Sequence, residues 1–391
     1  MPSRRTGWSR APSRLAELTA RVGASCLDLT ESNPTRAGLE APDLVALLGD
    51  GRGARYAPEP LGHPMAREAV AGYYAARGVT IDPSRVVITA STSEAYAWLF
   101  KLLADPGDTV LVPSPSYPLL PYLADLESVR LERYPLLREE RWRIDLAAVE
   151  RALVATRARA VTVVHPGNPT GAFTRRDEAE ALAALARRHD AALVVDEVFA
   201  DYPAGPTLPA DRLPTFAGTT GGLTFIMSGL SKVALLPQLK LGWIVVGGED
   251  EALVAEALAR LEIVADSYLS VGTPVQLALP DLLAAVPRMQ ARARRRLAQN
   301  LEALDAALFA AGPESPLRRV PFDGGFYALV EVPRTRSDDE WLERTLEAGV
   351  LVHPGYAYDM PGPGVVVMSL LTDEASFAEG LARAVPLWAR G

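Results

Sequence analysis

The 391-residue chain has 40 lysines and arginines against 48 aspartates and glutamates, a formal net charge of −8, with 49% hydrophobic and 23% charged residues. At roughly 100–200 residues per domain, this length fits one large and one smaller domain with a sizeable apolar interior. The acidic balance argues against a nucleic-acid footprint, and no apolar run reaches the ~20 residues that span a bilayer.

The residues from Met1 to Arg14 are basic and rich in serine and proline, and no signal-type apolar stretch follows, so they read as a frayed tail. Cys26 is the single cysteine, which rules out an intrachain disulfide and makes a reducing cytoplasm the natural compartment. From Tyr56 to about Asp266, helical segments alternate with short valine-rich runs. Val86–Thr89, Thr109–Val112, Ala160–Val164, Ala192–Val195, Leu223–Met227 and Trp243–Gly247 read as buried strands, with helices over Met65–Arg77, Ser93–Ala104, Asp177–His189 and Glu251–Leu261. Strands alternating with crossover helices predict an α/β domain with a mostly parallel sheet covered on both faces.

After Pro274 come two long helical stretches, Val275–Ala285 and Arg288–Ala311, then short strands at Phe326–Val332 and Val365–Ser369. They read as a smaller α+β domain that also recruits the N-terminal segment. The expected division is an arm over 1–50, a large domain over 51–270 and a small domain over 271–391. Arg288, Arg292, Arg295 and Arg296 recur at helical spacing and read as a solvated helix face. Pro203–Gly222 and Pro354–Gly364 read as long loops at the surface or lining a site.

Ligands of such sheets collect at the carboxyl ends of the strands. Ser91-Thr92-Ser93, Tyr117, Asn168, Asp196 and Lys232 all fall there, in that order. A lysine preceded by Asn168-Pro169-Thr170-Gly171 and by an acidic residue ending a buried strand points to a Schiff-base amine serving pyridoxal 5′-phosphate. Lys232 would hold the cofactor's aldehyde and later shuttle the substrate's α-proton. Asp196, emerging from a buried strand, needs a cation, and a protonated ring nitrogen is one; the plainer alternative is that it or Glu197 caps a helix or pairs with an arginine. Asn168 would present its amide from a rigid turn, or be a simple turn asparagine. Ser91, Thr92 and Ser93 open a helix near Glu94 and so form an anion site, an ordinary N-cap or both. Tyr117 would stack on the ring or belong to the core.

Together these residues resemble the fold-type I pyridoxal-phosphate enzymes of the class I and II aminotransferase family. The further markers are Tyr56-Ala57-Pro58 with Gly62, Pro115-Ser116-Tyr117, and Gly229-Leu230-Ser231-Lys232 with Lys240-Leu241-Gly242. The resemblance implies a large domain built on a sheet of the seven-stranded type plus a small C-terminal domain. It also implies a homodimer in which Tyr56 reaches the partner's cofactor phosphate, and Asn168 on the ring oxygen and the substrate carboxylate.

Four positions depart from the family pattern. Lys240 stands where an arginine usually clamps the phosphate, keeping the charge but losing the fork. Phe199 replaces a tyrosine whose phenol serves the ring oxygen, with Tyr202 as a candidate substitute. Gly229 replaces a phosphate-binding serine, leaving Ser231 or Ser228 to serve. Val367 replaces the arginine that grips the substrate carboxylate, and Arg36, in Ser32-Asn33-Pro34-Thr35-Arg36, is the replacement candidate or else a surface arginine. Trp142, Tyr356 and Tyr358 join Arg36 and Tyr202 as candidates to line the substrate site.

The leading expectation is a ping-pong transfer of an amino group from an amino acid to a 2-oxo acid. A lyase, cyclase, decarboxylase or amine oxidase on the same scaffold is the alternative, made more credible by Phe199 and Val367. A cofactor-binding regulator is a third; related regulators carry a DNA-binding module ahead of this part, and few residues precede Tyr56 here. No glycine-rich dinucleotide or phosphate-loop motif appears, and His63, His165, His189 and His353 lack ligand spacing, so no metal is expected.

Overall fold

A computed structural model describes residues 3–22, 26–219 and 221–391. Its strands are β1 (Leu27–Asp28), β2 (Val86–Thr89), β3 (Thr109–Ser114), β4 (Arg130–Arg138), β5 (Trp142–Ile144), β6 (Ala160–Val164), β7 (Ala192–Asp196), β8 (Thr224–Gly229), β9 (Gly242–Gly247), β10 (Arg318–Arg319), β11 (Tyr327–Glu331), β12 (Val350–Leu351), β13 (His353–Pro354) and β14 (Val365–Ser369).

The central sheet is eight-stranded, in the order β2-β9-β8-β7-β6-β3-β4-β5. Strands β8, β7, β6, β3 and β4 run parallel, while β9 is antiparallel to both of its neighbours. The sequence anticipates a seven-stranded type; the eighth strand is the three-residue β5, which folds back antiparallel on β4. Strands β2, β3 and β6 to β8 are almost wholly buried, as a sheet covered on both faces requires. On one face, Tyr96, Leu99 and Phe100 of the helix Thr92–Leu103 pack on Val110, Val194, Phe225 and Ile244. On the other, Val149, Leu182 and Leu279 from three helices cover Leu111, Val195 and Ile226. Alternate side chains of one strand thus serve two cores.

A four-stranded sheet, β10-β11-β14-β13, forms toward the C-terminus, and β1 pairs in parallel with β12 beside it. The N-terminal segment therefore joins the C-terminal elements through β1. Two expectations need correction. The tail is not frayed from residue 3 onward, because Trp8 donates its indole N–H to Asp125 at 2.7 Å and stacks edge-on against Tyr122; Met1 and Pro2 lie outside the described residues. The arginine face of the helix Val286–Ala310 is not simply solvated either. Arg288 pairs with Asp43 at 2.6 Å, Arg292 donates to the Glu40 carbonyl, and Arg296 reaches Glu374 and the Ala37 carbonyl. These contacts tie down the chain that follows Arg36.

Candidate active site

Strand direction assembles the site. β2, β3, β6, β7 and β8 all point their carboxyl ends at one edge of the sheet, and β9 starts from that edge. The residues just beyond those ends meet around one cleft of about 270 Å³. Ser91, Thr92, Ser93, Tyr117, Asn168, Asp196, Phe199, Ser231, Lys232 and Lys240 all line it. Ten side chains scattered over 150 positions of sequence are brought together by topology alone.

Lys232 sits in the short helix Leu230–Val233, directly after β8. Its Nζ donates to the Ser32 carbonyl at 3.3 Å and lies 5.7 Å from the ring centres of Phe199 and Phe326. Enclosure among these groups lowers its pKa to about 8, against which the negative charges of Glu31 and Asp196 pull upward. Tyr202 donates its phenol to the Lys232 backbone carbonyl at 2.6 Å. That phenol anchors the turn carrying the lysine, so it does not replace the hydroxyl that Phe199 lacks.

Asp196 ends β7 with its carboxyl buried, and burial lifts its pKa to about 6 despite the Val198 N–H that Oδ1 accepts at 3.1 Å. Among the described residues no cation lies within ion-pairing distance of it. Glu197 points away to the loop at Thr215 and Phe216, and burial raises its pKa to about 7. Asn168 is buried in the cleft wall, and its Oδ1 has no hydrogen-bond partner among the described residues. Its turn is clamped: the N–H groups of Asp323 and Gly324 both donate to the Gly171 carbonyl at 3.0 Å. Gly171 has a φ of +65°, and a Cβ there would meet the Gly324 carbonyl oxygen at 2.3 Å, so only glycine fits. His165 braces the same turn by accepting the Thr174 N–H at 3.2 Å; burial drives its pKa down to about 3 and keeps it neutral.

Ser91 caps the helix Thr92–Leu103, its Oγ accepting from the Glu94 N–H at 3.1 Å. The first turn of a twelve-residue helix thus faces the cleft, where its amides and dipole favour an anion, and Lys240 lines the same cleft. Gly229 has a reason of its own to be glycine. Its backbone is extended at φ 176°, and an added Cβ would meet Gly242 Cα at 2.9 Å and the Leu241 oxygen at 3.0 Å. A Gly229→Ser change should therefore destabilise the protein by about 1–3 kcal/mol through overpacking, read as a lower melting temperature. An unchanged melting temperature would show that β8 and β9 can part.

Several predicted residues lie elsewhere. Tyr56 is 79% exposed and lines a separate surface hollow with Trp98, Leu269 and Gln276. The Arg36 side chain is 73% exposed and pairs with Glu31 at 2.8 Å, just beyond the cleft-lining Ser32. Val367 is fully buried among Trp142, Leu329 and Tyr358, so an apolar cluster fills that position in β14. Tyr358 bonds His353 Nδ1 at 3.0 Å and exposed Tyr356 bonds Asp339, and neither they nor Trp142 line the cleft. The sequence analysis missed Ser32, Tyr96 and Tyr327, which do. Tyr327 was detectable as an early residue of the strand expected over Phe326–Val332, just after Gly324-Gly325.

A model of the aminotransferase class I and II family matches residues 22–377. The chain belongs to that family. The aspartate/prephenate aminotransferase of Thermus thermophilus is 31% identical over 378 residues, covering 93% of this chain and 91% of that protein. Bovine tyrosine aminotransferase is 27% identical and covers 83% of this chain and 72% of its own. A solved mutant of the Thermus thermophilus aspartate aminotransferase superposes with a TM-score of 0.83 at 27% identity, covering 98% of this chain and 99% of that one. Class I and II aminotransferases are pyridoxal-phosphate-dependent transferases of the fold described above, and this chain is one of that enzyme class.

Proposed function

We propose that the cleft holds pyridoxal 5′-phosphate and that the protein transfers an amino group between an amino acid and a 2-oxo acid. The observation that carries this reading is one cleft holding a buried amine of lowered basicity, Lys232, and a buried carboxylate without a cation partner among the described residues, Asp196. When bound, the cofactor supplies an electrophilic carbon for the amine and an electron sink for the substrate's α-carbon.

The residues present fit that group. Lys232 would hold it as a Schiff base, and afterwards its free amine carries the proton at the α-carbon; a pKa near 8 leaves part of it unprotonated at neutral pH. Asp196 would keep the ring nitrogen protonated, since a cation relieves the burial of its charge. Asn168 would donate its amide N–H to the ring oxygen and offer its unpartnered Oδ1 to a donor on the substrate, and Tyr117 would cover the ring. Ser91, Thr92, Ser93, Ser231 and Lys240 would cradle the phosphate. Phe199 offers that ring an apolar wall and no donor. Arg36 would take the substrate carboxylate, because the Val367 position is filled by hydrocarbon. The exposed Tyr56 supports a homodimer in which it completes the partner's phosphate site, and the single cysteine supports a cytoplasmic home.

Protein reconstituted with the cofactor and given amino acids, without an acceptor, should shift its absorbance to that of the pyridoxamine form, and a 2-oxo acid should restore it. Release of ammonia or peroxide instead would mean that the scaffold runs an elimination or an oxidation.

A further inference from the structure

The ionisable side chains lining the cleft are, among the described residues, Asp196, Lys232, Lys240 and three tyrosines, fewer charges than the cofactor and a substrate together bring. On the pyridoxal-phosphate reading, the first three are committed: Asp196 to the ring nitrogen, Lys240 to the phosphate and Lys232 to the covalent link. The strap of chain that carries the cleft-lining Ser32 also carries one anion and one cation, Glu31 and Arg36.

The geometry of that pair is unusual in what it leaves free. Glu31 Oε1 accepts the Asn33 N–H at 2.7 Å, and Oε2 lies 2.8 Å from Arg36 Nε in an ion pair. Arg36 is thus held by one edge, and its terminal nitrogens have no partner among the described residues. Those nitrogens can receive a carboxylate in the forked geometry that guanidinium favours without Glu31 letting go. Glu31 itself is inward, with a side chain only 16% exposed, and Ser32 beside it accepts the bond from Lys232. Glu31, ahead of Asp196, is the negative charge that holds up the basicity of Lys232.

A substrate carboxylate on Arg36 would leave two anions sharing one cation, with Glu31 largely removed from water. An amino acid with a neutral side chain leaves that imbalance standing, and an acidic side chain deepens it. A side-chain cation cancels it. We propose that Glu31 is a specificity-determining residue and that the preferred amino donor is an α-amino acid whose side chain ends in an ammonium or guanidinium group. Arg36 would hold its carboxylate and Glu31 its distal cation.

The test is steady-state kinetics of the cofactor-loaded wild type, Glu31→Gln and Arg36→Ala with ornithine, lysine and arginine against norvaline, norleucine and glutamate. The expected wild-type kcat/KM favours the basic substrates over their neutral counterparts by at least about tenfold, equivalent to about 1.4 kcal/mol. Glu31→Gln should bring that ratio close to one, and Arg36→Ala should raise KM for every amino acid. The inference is overturned if the wild type prefers neutral or acidic substrates, if Glu31→Gln slows all substrates equally so that Glu31 only orients Arg36, or if Arg36→Ala leaves KM unchanged. It rests on the cofactor reading, whose own failure would be separate and visible as the lack of a cofactor adduct on Lys232.

Discussion

Replacing Lys232 with alanine should lower kcat for amino transfer by on the order of 10⁴-fold or more. The residue is asked to do two things, hold the cofactor covalently and move the α-proton, and no neighbouring group duplicates either. Lys240, the other amine lining the cleft, sits eight residues further on, beyond the short helix that carries Lys232. The site itself should survive the change. Tyr202 bonds the Lys232 backbone carbonyl rather than its side chain, so the turn between β8 and β9 keeps its anchor. Circular dichroism and melting should therefore remain close to wild type while turnover is lost. Retained turnover in this variant would remove Lys232 from the chemistry.

The second large effect concerns Asp196 and has opposite signs with and without cofactor. Burial raises its carboxyl from 3.8 to about 6, so the unfolded chain gives up this proton at lower pH than the folded one. The folded, cofactor-free protein thus carries no penalty below about pH 4, loses stability as the pH rises through 6, and at pH 7 has lost about 3 kcal/mol to this one group. Asp196→Asn removes the ionisation. The cofactor-free variant should melt higher than wild type at pH 7 and similarly to it at pH 4. The same change deprives the ring nitrogen of its counter-ion, so kcat should fall by on the order of 10³-fold and cofactor affinity with it. Equal melting temperatures of the two proteins at both pH values would mean that Asp196 is not held in the environment described here.

Why so much of this site was legible follows from where its residues sit. Val86–Thr89, Ala160–Val164 and Val365–Ser369 match observed strands residue for residue, because β-branched runs bounded by turn residues have little else to be. The cleft residues follow those strands within a few positions, so reading the strands placed the site. β4 and β5 escaped because they lie at the sheet edge. Arg130–Arg138 is mostly exposed and carries charged residues through its length, so it has neither the apolar run nor clean alternation. Arg36, Trp142, Tyr356 and Tyr358 were harder for a different reason. None of them lines the cleft, and their side-chain directions depend on tertiary contacts that no local pattern records. The Glu31–Arg36 pair shows this best: spacing places the two on one segment, and only the fold shows that one points inward while the other keeps its terminal nitrogens free.

The central claim is tested most directly by loading the purified protein with pyridoxal 5′-phosphate, reducing it with borohydride, digesting it and sequencing the peptides by mass spectrometry. The account predicts one dominant pyridoxyl adduct, on Lys232, absent from Asp196→Asn protein only to the extent that its cofactor affinity has fallen. An adduct confined to Lys101, Lys240 or the N-terminal amine, or none at all, would contradict it.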